Sequence, residues 1–569
     1  MKKIITIIAS IAFIFCLLAV GYKCHSQTND SKFMSSNVGN DVRYTYNDAA
    51  SLWADSVLST LSVRERVAQL FIPRLDITNN EAGFRTIEKI VAKEKMGGFL
   101  LGKGTISSYI DLINLGQSKA DIPLMVTLDG EWGLSMRVVG TPRFPYNVAL
   151  GAAADKQLLY DYGQEVAREC KLMGIQVNFA PVIDVNSNPN NPVIGYRSFG
   201  EDPDLVGELS SAYCEGMWVS GVMPVGKHFP GHGDTSSDSH KTLPMLTHGR
   251  ERIDNIDLRP FVMAFNSGMP GIMVAHLNIP ALDQSGTPAS LSKKITTGLL
   301  QDSLGFNGLI FTDALAMKGA VRDNENNCVS AFLAGADILL GSAAPSSDLD
   351  AVVNAVNSGK ISKAELDRRC KKVLEYKYKL GLNVKPTQIQ STGMSSKLNT
   401  PKVDKLITDM SRKAITVIND KKGLLPVSGG KKIVVVSIGA QGANVFSNLC
   451  KEYGGADRYG KISSMVLSEV KSADIVILGV FSNNAEAKNS FEKIVSANKS
   501  AIGVFFMNPY RVSKFSNLSS LSSIVLAYDD IPQLREAAAE AIFGKICVSG
   551  RLPINLPGVG KIGDGITIK

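Results

Sequence analysis

No C-x-x-C pair occurs among the eight cysteines of this chain. Cys170, Cys214, Cys328, Cys370, Cys450 and Cys547, the six beyond the N-terminal segment, are scattered singly. That spacing excludes a zinc ribbon and a disulfide framework, and it reads as buried free thiols. Histidine is scarce, at six in 569 residues, and tryptophan scarcer, at three. No Lys/Arg cluster and no aromatic–basic interleaving appears, so no nucleic-acid partner is expected. Gly439 and Gly442 do not complete a G-x-G-x-x-G fingerprint, which argues against a dinucleotide site there. Low-complexity tracts and short-period repeats are also missing.

What remains is ordinary globular composition, 44% hydrophobic and 20% charged, with a modest formal charge of +8. That balance leaves room for an anionic substrate. A chain this long exceeds one core, so two or more domains are expected. The one long apolar run, Ile4 to Val20, follows Met1-Lys2-Lys3 and precedes a polar stretch to Gln27. This pattern predicts a signal peptide over 1–26, cut after Ser26, with an uncleaved anchor as the alternative. Cys24 is a conceivable lipid acceptor, but Lys23 is wrong for a lipobox. Any membrane association would run through this anchor or lipid, and the body of the protein is expected outside the cytoplasm. Residues 27–45 have the composition of a flexible lead-in.

From 46 to 384, short apolar runs alternate with amphipathic segments. The runs lie near 69–74, 97–101, 124–128, 176–180, 222–226, 271–275, 308–312 and 336–340. Eight such runs predict an α/β fold, a (β/α)8 TIM-type barrel, with the first and fifth the weakest strands. Asp129 follows the third run, and Asp184 and Asn186 lie just beyond the fourth. Lys227-His228 follows the fifth, His276 the sixth and Asp313 the seventh. In a barrel these positions converge on the carboxyl face, where active sites are built. Each alone could be a helix cap; together they predict a site. Residues 385–402 read as a linker. A helix near 403–413 and apolar runs at 433–438, 474–480, 502–507 and 523–528 predict a smaller α/β sandwich over 403–569.

Half of the histidines fall in KHFPGHGDTSSDSH, Lys227 to His240, beside Asp234 and Asp238. Ionisable groups on a glycine-rich segment suit a mobile loop carrying acid/base chemistry, with Gly231 and Gly233 as hinges. Metal binding by His228, His232, Asp234, Asp238 and His240 is the competing reading. A His-x3-His pair converges on a helix, however, and Pro230, Gly231 and Gly233 break one, so no metal is expected. His232 reads as a loop-shaping residue and His248 as a surface histidine.

KHFPGHGxxxxDSH resembles the signature of the β-N-acetylglucosaminidase branch of family 3 glycoside hydrolases. NFAPVIDV at 178–185, IGYRSFGEDP at 194–203, FTDALAMKG at 311–319 and DGEWGLSMR at 129–137 resemble the family's other blocks in order and spacing. ITVINDKKGLLPV at 415–427 and SGRLPINLPG at 549–558 resemble landmarks of its second domain. The resemblance implies that Asp313 is the nucleophile of a retaining reaction. It implies that His240 is the acid/base, assisted by Asp238. It further assigns Asp129, Arg137, Arg197, Lys227 and His228 to sugar binding, with His276 in support. A protonated imidazole near its pKa can protonate a glycosidic oxygen, and a neighbouring carboxylate orients it. A neutral base also tolerates an anionic acceptor, so phosphorolysis stays open beside hydrolysis. Trp132 departs from the pattern, which has glycine there; its indole could narrow a subsite or stack on a sugar.

The expectation is therefore an exo-acting hydrolase that removes terminal β-linked N-acetylglucosamine from peptidoglycan fragments or related glycans, without a cofactor. A β-glucosidase or xylosidase of the same family would share Asp313 and Lys227-His228. A catalytically silent glycan-binding protein is the alternative from another class.

Overall fold

The structure is a computed structural model. It describes residues 48–569 apart from 76–79, 239–241, 321–324, 441–442 and 461. The predicted signal segment, the lead-in to Thr45 and His240 lie outside the described residues.

Each of the eight apolar runs of the first half is a strand. β1 comes in two pieces, Phe71–Ile72 and Arg74–Leu75, broken at Pro73, which has no N–H to give a ladder. β2 is Gly98–Leu101, β3 Met125–Leu128, β4 Val177–Asn178, β5 Met223–Phe229, β6 Gly271–Val274, β7 Leu309–Thr312 and β8 Leu339–Leu340. Neighbours pair in parallel in chain order. The ring closes where Phe311 bridges Ile338 and where Phe71 and Ile72 pair with Leu339 and Leu340. A helix fills every interval between strands, as parallel crossovers require. β5, expected to be weak, is the longest strand, and all seven of its residues are buried. Its Pro224, Gly226 and Lys227 weaken the apolar pattern, but burial on both faces decides the outcome. Lys227 and His228 consequently sit within β5 rather than after it.

Helix starts follow the side chains. Asp155 and Asp202 cap Lys156–Leu172 and Pro203–Val219 by accepting from the free first-turn amides. Inside the barrel Phe179 and Phe311 meet edge to face at 5.5 Å, both fully buried. Burying each such ring contributes roughly 1.5–3 kcal/mol.

Among the described residues the second sheet has six strands rather than four. β9 is Thr416–Asp420, β10 Ile433–Ile438, β11 Asp457–Tyr459, β12 Ile475–Val480, β13 Ala501–Phe505 and β14 Ser523–Leu526. Their order is β9-β14-β13-β12-β10-β11. β9 runs antiparallel to β14, and the rest are parallel. The two missed strands, TVIND and DRY, are edges with half-exposed or exposed residues, so they carry little apolar signal.

Tyr46–Lys569 forms one compact unit. The segment read as a linker is strapped to the barrel: Asn114 bonds both the N–H and the C=O of Ile389, and Arg168 donates to the Lys397 carbonyl. Helix Pro401–Ala414 packs on Asn147–Ala153. Arg551 N–H donates to the Ala152 carbonyl, and Arg143 pairs with Asp529 at 2.6 Å. Of the six cysteines among the described residues, five are buried free thiols and Cys547 is exposed. No helix among the described residues is long and apolar enough to cross a membrane.

Candidate active site

A cavity of about 740 Å³ opens at the carboxyl face of the barrel. Asp129, Arg137, Arg197, Lys227, His228 and Asp313 all line it. Six of the eight assigned site residues are thus brought together from β3, β5, β7 and the loop after β4. Asp238, half-buried, does not line this cavity, and His240 lies outside the described residues.

The floor is a network of charges. Lys227, 3% exposed, donates to Asp129 Oδ1 at 3.0 Å and pairs with Glu131 at 2.8 Å. Arg137 donates to Asp129 Oδ2 at 2.9 Å. Arg197 forks onto Glu131, with Nε and Nη2 at 2.8 and 2.7 Å. Burial raises the cost of every carboxylate here, but the cations outweigh it. Asp129 is held down to about 2 by Lys227 and Arg137, and Glu131 lies well below the carboxylate range beside Arg197 and Lys227. These groups are ionised and paired, with Lys227 on β5 and the others on the segments that follow β3 and β4, an arrangement that presents directed donors and acceptors to hydroxyl groups.

Glu131 belongs to the DGEWG segment at 129–133 but is not among the residues that the resemblance assigns to the site. Its neighbour at i−2, Asp129, shares Lys227 with it, and that spacing is the signal the sequence offers.

Asp184, read from the sequence as one of the strand-end residues but given no role, is fully buried and accepts three times: from His228 Nδ1 at 2.6 Å, from His228 N–H at 3.2 Å and from His232 N–H at 2.7 Å. The bond to Asp184 fixes the His228 ring, so its Nε2 faces Arg197 at 3.5 Å. His232 is buried, and burial beside His228 pushes its pKa down to about 4, so it is neutral. Thr235 Oγ1 lies 2.8 Å from its Nδ1.

Asp313 follows β7 directly. Its backbone N–H donates to Val274 C=O on β6, and its Oδ1 accepts the Ala314 N–H at 2.7 Å. Burial would raise its pKa, but His276, His228 and the Ala314 N–H outweigh that and hold it below the usual carboxylate value. His276 is fully buried, with Nε2 3.0 Å from the Ala314 carbonyl and Nδ1 2.6 Å from Ser290 Oγ. It therefore holds the backbone of Ala314, the residue that follows Asp313. Asp313 is an ionised carboxylate at the end of a strand, facing a sugar-sized space. Such a group can attack an anomeric carbon.

The root of the loop after β5 is closely packed at its glycines. A Cβ at Gly233 would lie 1.7 Å from the Val185 carbonyl, and Asn191 Nδ2 donates to the carbonyls of His232 and Gly233. Gly231, at φ +128°, packs on Asp257. Both glycines permit close approach of backbone at the root of this loop. His248 is half-exposed, as a surface histidine would be, and it is paired: its Nε2 meets Asp234 Oδ2, and Arg252 donates to the same oxygen at 2.8 Å. The Trp132 indole lies edge-on to Tyr146 at 5.0 Å and does not line the cavity, so it does not stack in this pocket. Among the described residues no group of three or more His, Cys, Asp or Glu could hold a metal ion.

Comparison with known proteins agrees with this geometry. Residues 62–376 match the glycosyl hydrolase family 3 N-terminal domain. Beta-hexosaminidase A of Pseudoalteromonas piscicida is 33% identical over 385 residues, covering 61% of this chain and 63% of that protein. A protein of Cellulomonas fimi named beta-N-acetylglucosaminidase/beta-glucosidase is 23% identical over 90% of this chain and 97% of its own length. A family 3 β-N-acetylglucosaminidase structure from Paenibacillus sp. str. FPU-7 superposes with a TM-score of 0.74 at 28% identity, covering 87% of this chain and 99% of that one. Fold, cavity and relatives together define a barrel glycoside hydrolase. The chain belongs to glycosyl hydrolase family 3.

Proposed function

We propose that the protein is a retaining exo-β-N-acetylglucosaminidase that releases terminal β-linked N-acetylglucosamine from peptidoglycan fragments or related glycans. One observation carries the reading: an ionised Asp313, backed by His276, shares a cavity with the Asp129–Lys227–Glu131–Arg197 floor. A sugar ring held on that floor presents its anomeric carbon to Asp313. The carboxylate attacks and the C1–oxygen bond to the leaving group breaks. His240, assisted by Asp238, delivers the proton to the departing oxygen. In the second step neutral His240 takes a proton from water, whose oxygen displaces Asp313 from C1. The low pKa of Asp313 suits a group that must be ionised before attack and leave readily afterwards.

The names of the Pseudoalteromonas and Paenibacillus relatives favour the N-acetyl substrate. The double name of the Cellulomonas relative keeps β-glucosidase activity as a second reading. We place the enzyme in the cell envelope, on the strength of the apolar run Ile4–Val20 behind two lysines. The test is kcat/KM on nitrophenyl β-N-acetylglucosaminide against nitrophenyl β-glucoside, using protein starting at Gln27. A preference of 100-fold or so for the N-acetyl compound is expected, about 2.7 kcal/mol of transition-state discrimination. Preference for the glucoside would overturn the branch assignment.

A further inference from the structure

Tyr510 belongs to the second domain, on the turn Pro509–Lys514. Its hydroxyl reaches the barrel, accepting from Asn186 Nδ2 at 2.7 Å and donating to Glu201 Oε1 at 3.2 Å. Asn186 is fully buried, two residues beyond Asp184. Its Oδ1 accepts the Gly195 N–H at 2.8 Å, and its own N–H donates to the Gly200 carbonyl at 3.0 Å. Gly195 opens the turn Gly195–Arg197, which ends on the arginine that forks onto Glu131. Glu201 is gripped from the same side, by the N–H and Nδ2 of Asn555 at 3.1 and 2.7 Å. Its backbone N–H donates to the Pro553 carbonyl at 3.0 Å.

The loop from 184 to 201 therefore carries two site groups, Asp184 on His228 and Arg197 on the cavity floor. Two segments of the second domain, around Tyr510 and around Asn555, hold it from outside. Burial raises the Tyr510 pKa far above its usual value, so the phenol keeps the proton it donates to Glu201.

We propose that Tyr510 is a positioning residue for sugar binding, acting through Asn186 on the turn that aims Arg197 into the cavity. The second domain is then part of the binding machinery and not merely a brace. The identity of the sugar rests on the proposed function above; the coupling of Tyr510 to Arg197 does not.

The test is Tyr510→Phe in the full chain, which removes one oxygen. KM for nitrophenyl β-N-acetylglucosaminide should rise about tenfold, with kcat changed less, the loss expected of one hydrogen bond made to a fixed group. Hydrogen exchange across 186–200 should accelerate, the Gly195 amide included. Asn186→Asp, which replaces the Nδ2 donor, should give the same KM rise, and the double variant should lose no more than the worse single one. That second variant also decides the matter if Tyr510→Phe does not fold. A lower Tm with unchanged KM and unchanged exchange over 186–200 would overturn the proposal and leave bracing alone. If the wild-type chain turns over no nitrophenyl glycoside, the functional reading has failed. The exchange comparison then decides: faster in Tyr510→Phe supports the coupling, and equal rates overturn it.

Discussion

The two sheets of this protein are made of the same material and finish differently. Both are largely parallel arrays of buried Val, Ile, Leu and Phe. In the barrel, β3 and β7 run directly into Asp129 and Asp313, and β5 carries Lys227 and His228 near its carboxyl end. In the second sheet, β10, β12, β13 and β14 run into Gly439, Phe481, Phe506 and Ala527. Phe481 and Phe506 stack at 4.6 Å, within 7° of parallel, where the barrel has an ionised floor. Architecture alone does not confer chemistry; the residues placed at the strand ends do. The second domain enters the chemistry through its loops instead, at Tyr510 and Asn555.

The sharpest way to break this comparison is to neutralise one barrel strand end. Asp313→Asn keeps the volume and removes the charge that the proposed mechanism assigns to the attack. Its kcat should fall on the order of 10⁴–10⁶-fold, with the circular dichroism spectrum unchanged. A fall of less than tenfold would mean that the nucleophile lies elsewhere.

Glu131→Gln should come next. It leaves Arg197 without its carboxylate, while Lys227 keeps Asp129, and breaking such a buried pair costs about 3–5 kcal/mol. Urea unfolding should show that loss, and kcat/KM should drop about 100-fold through the misplaced Arg197. A variant as stable as the wild type would show the floor to be far more hydrated than its burial implies.

Asp257→Asn should have the smallest effect and sharpens the contrast at the loop root. Burial pushes the Asp257 carboxyl up to about 7, although Arg252 at 3.3 Å pulls the other way. A folded-state pKa above the unfolded value means that the native state holds the proton more tightly. That contribution is complete below about pH 4 and is lost as pH rises through about 7. The asparagine variant has no such loss. Its Tm should match the wild type near pH 4, gain a few degrees by pH 7 and gain no more above. A gap that is constant with pH would contradict the assignment.

Much of this was legible in the sequence for a local reason. A barrel strand and the residue after it are neighbours in the chain, so Asp129, Lys227-His228 and Asp313 could be read from apolar runs and the polar residues at their ends. The resemblance of 227–240 to a family motif supplied the roles. The edges of the second sheet were not legible, because Asp457-Arg458-Tyr459 has no apolar pattern to read. Long-range partners were not legible either. Tyr510 and Asn186 stand 324 positions apart, and nothing local to either predicts the other. Asp184 was visible as a residue beyond a strand end, but its function depends on three donors from the β5 segment. The pairing of His248 escaped because its partner, Asp234, belongs to a motif read for other chemistry.

The central claim is that Asp313 becomes covalently attached to the sugar. It is tested most directly by incubating the enzyme with a fluorinated β-N-acetylglucosaminide whose glycosyl-enzyme turns over slowly, followed by peptide mass mapping. The account predicts one added glycosyl mass on the peptide containing Asp313, and none in Asp313→Asn. An adduct on another carboxylate, or steady turnover of the compound with no adduct, would contradict it.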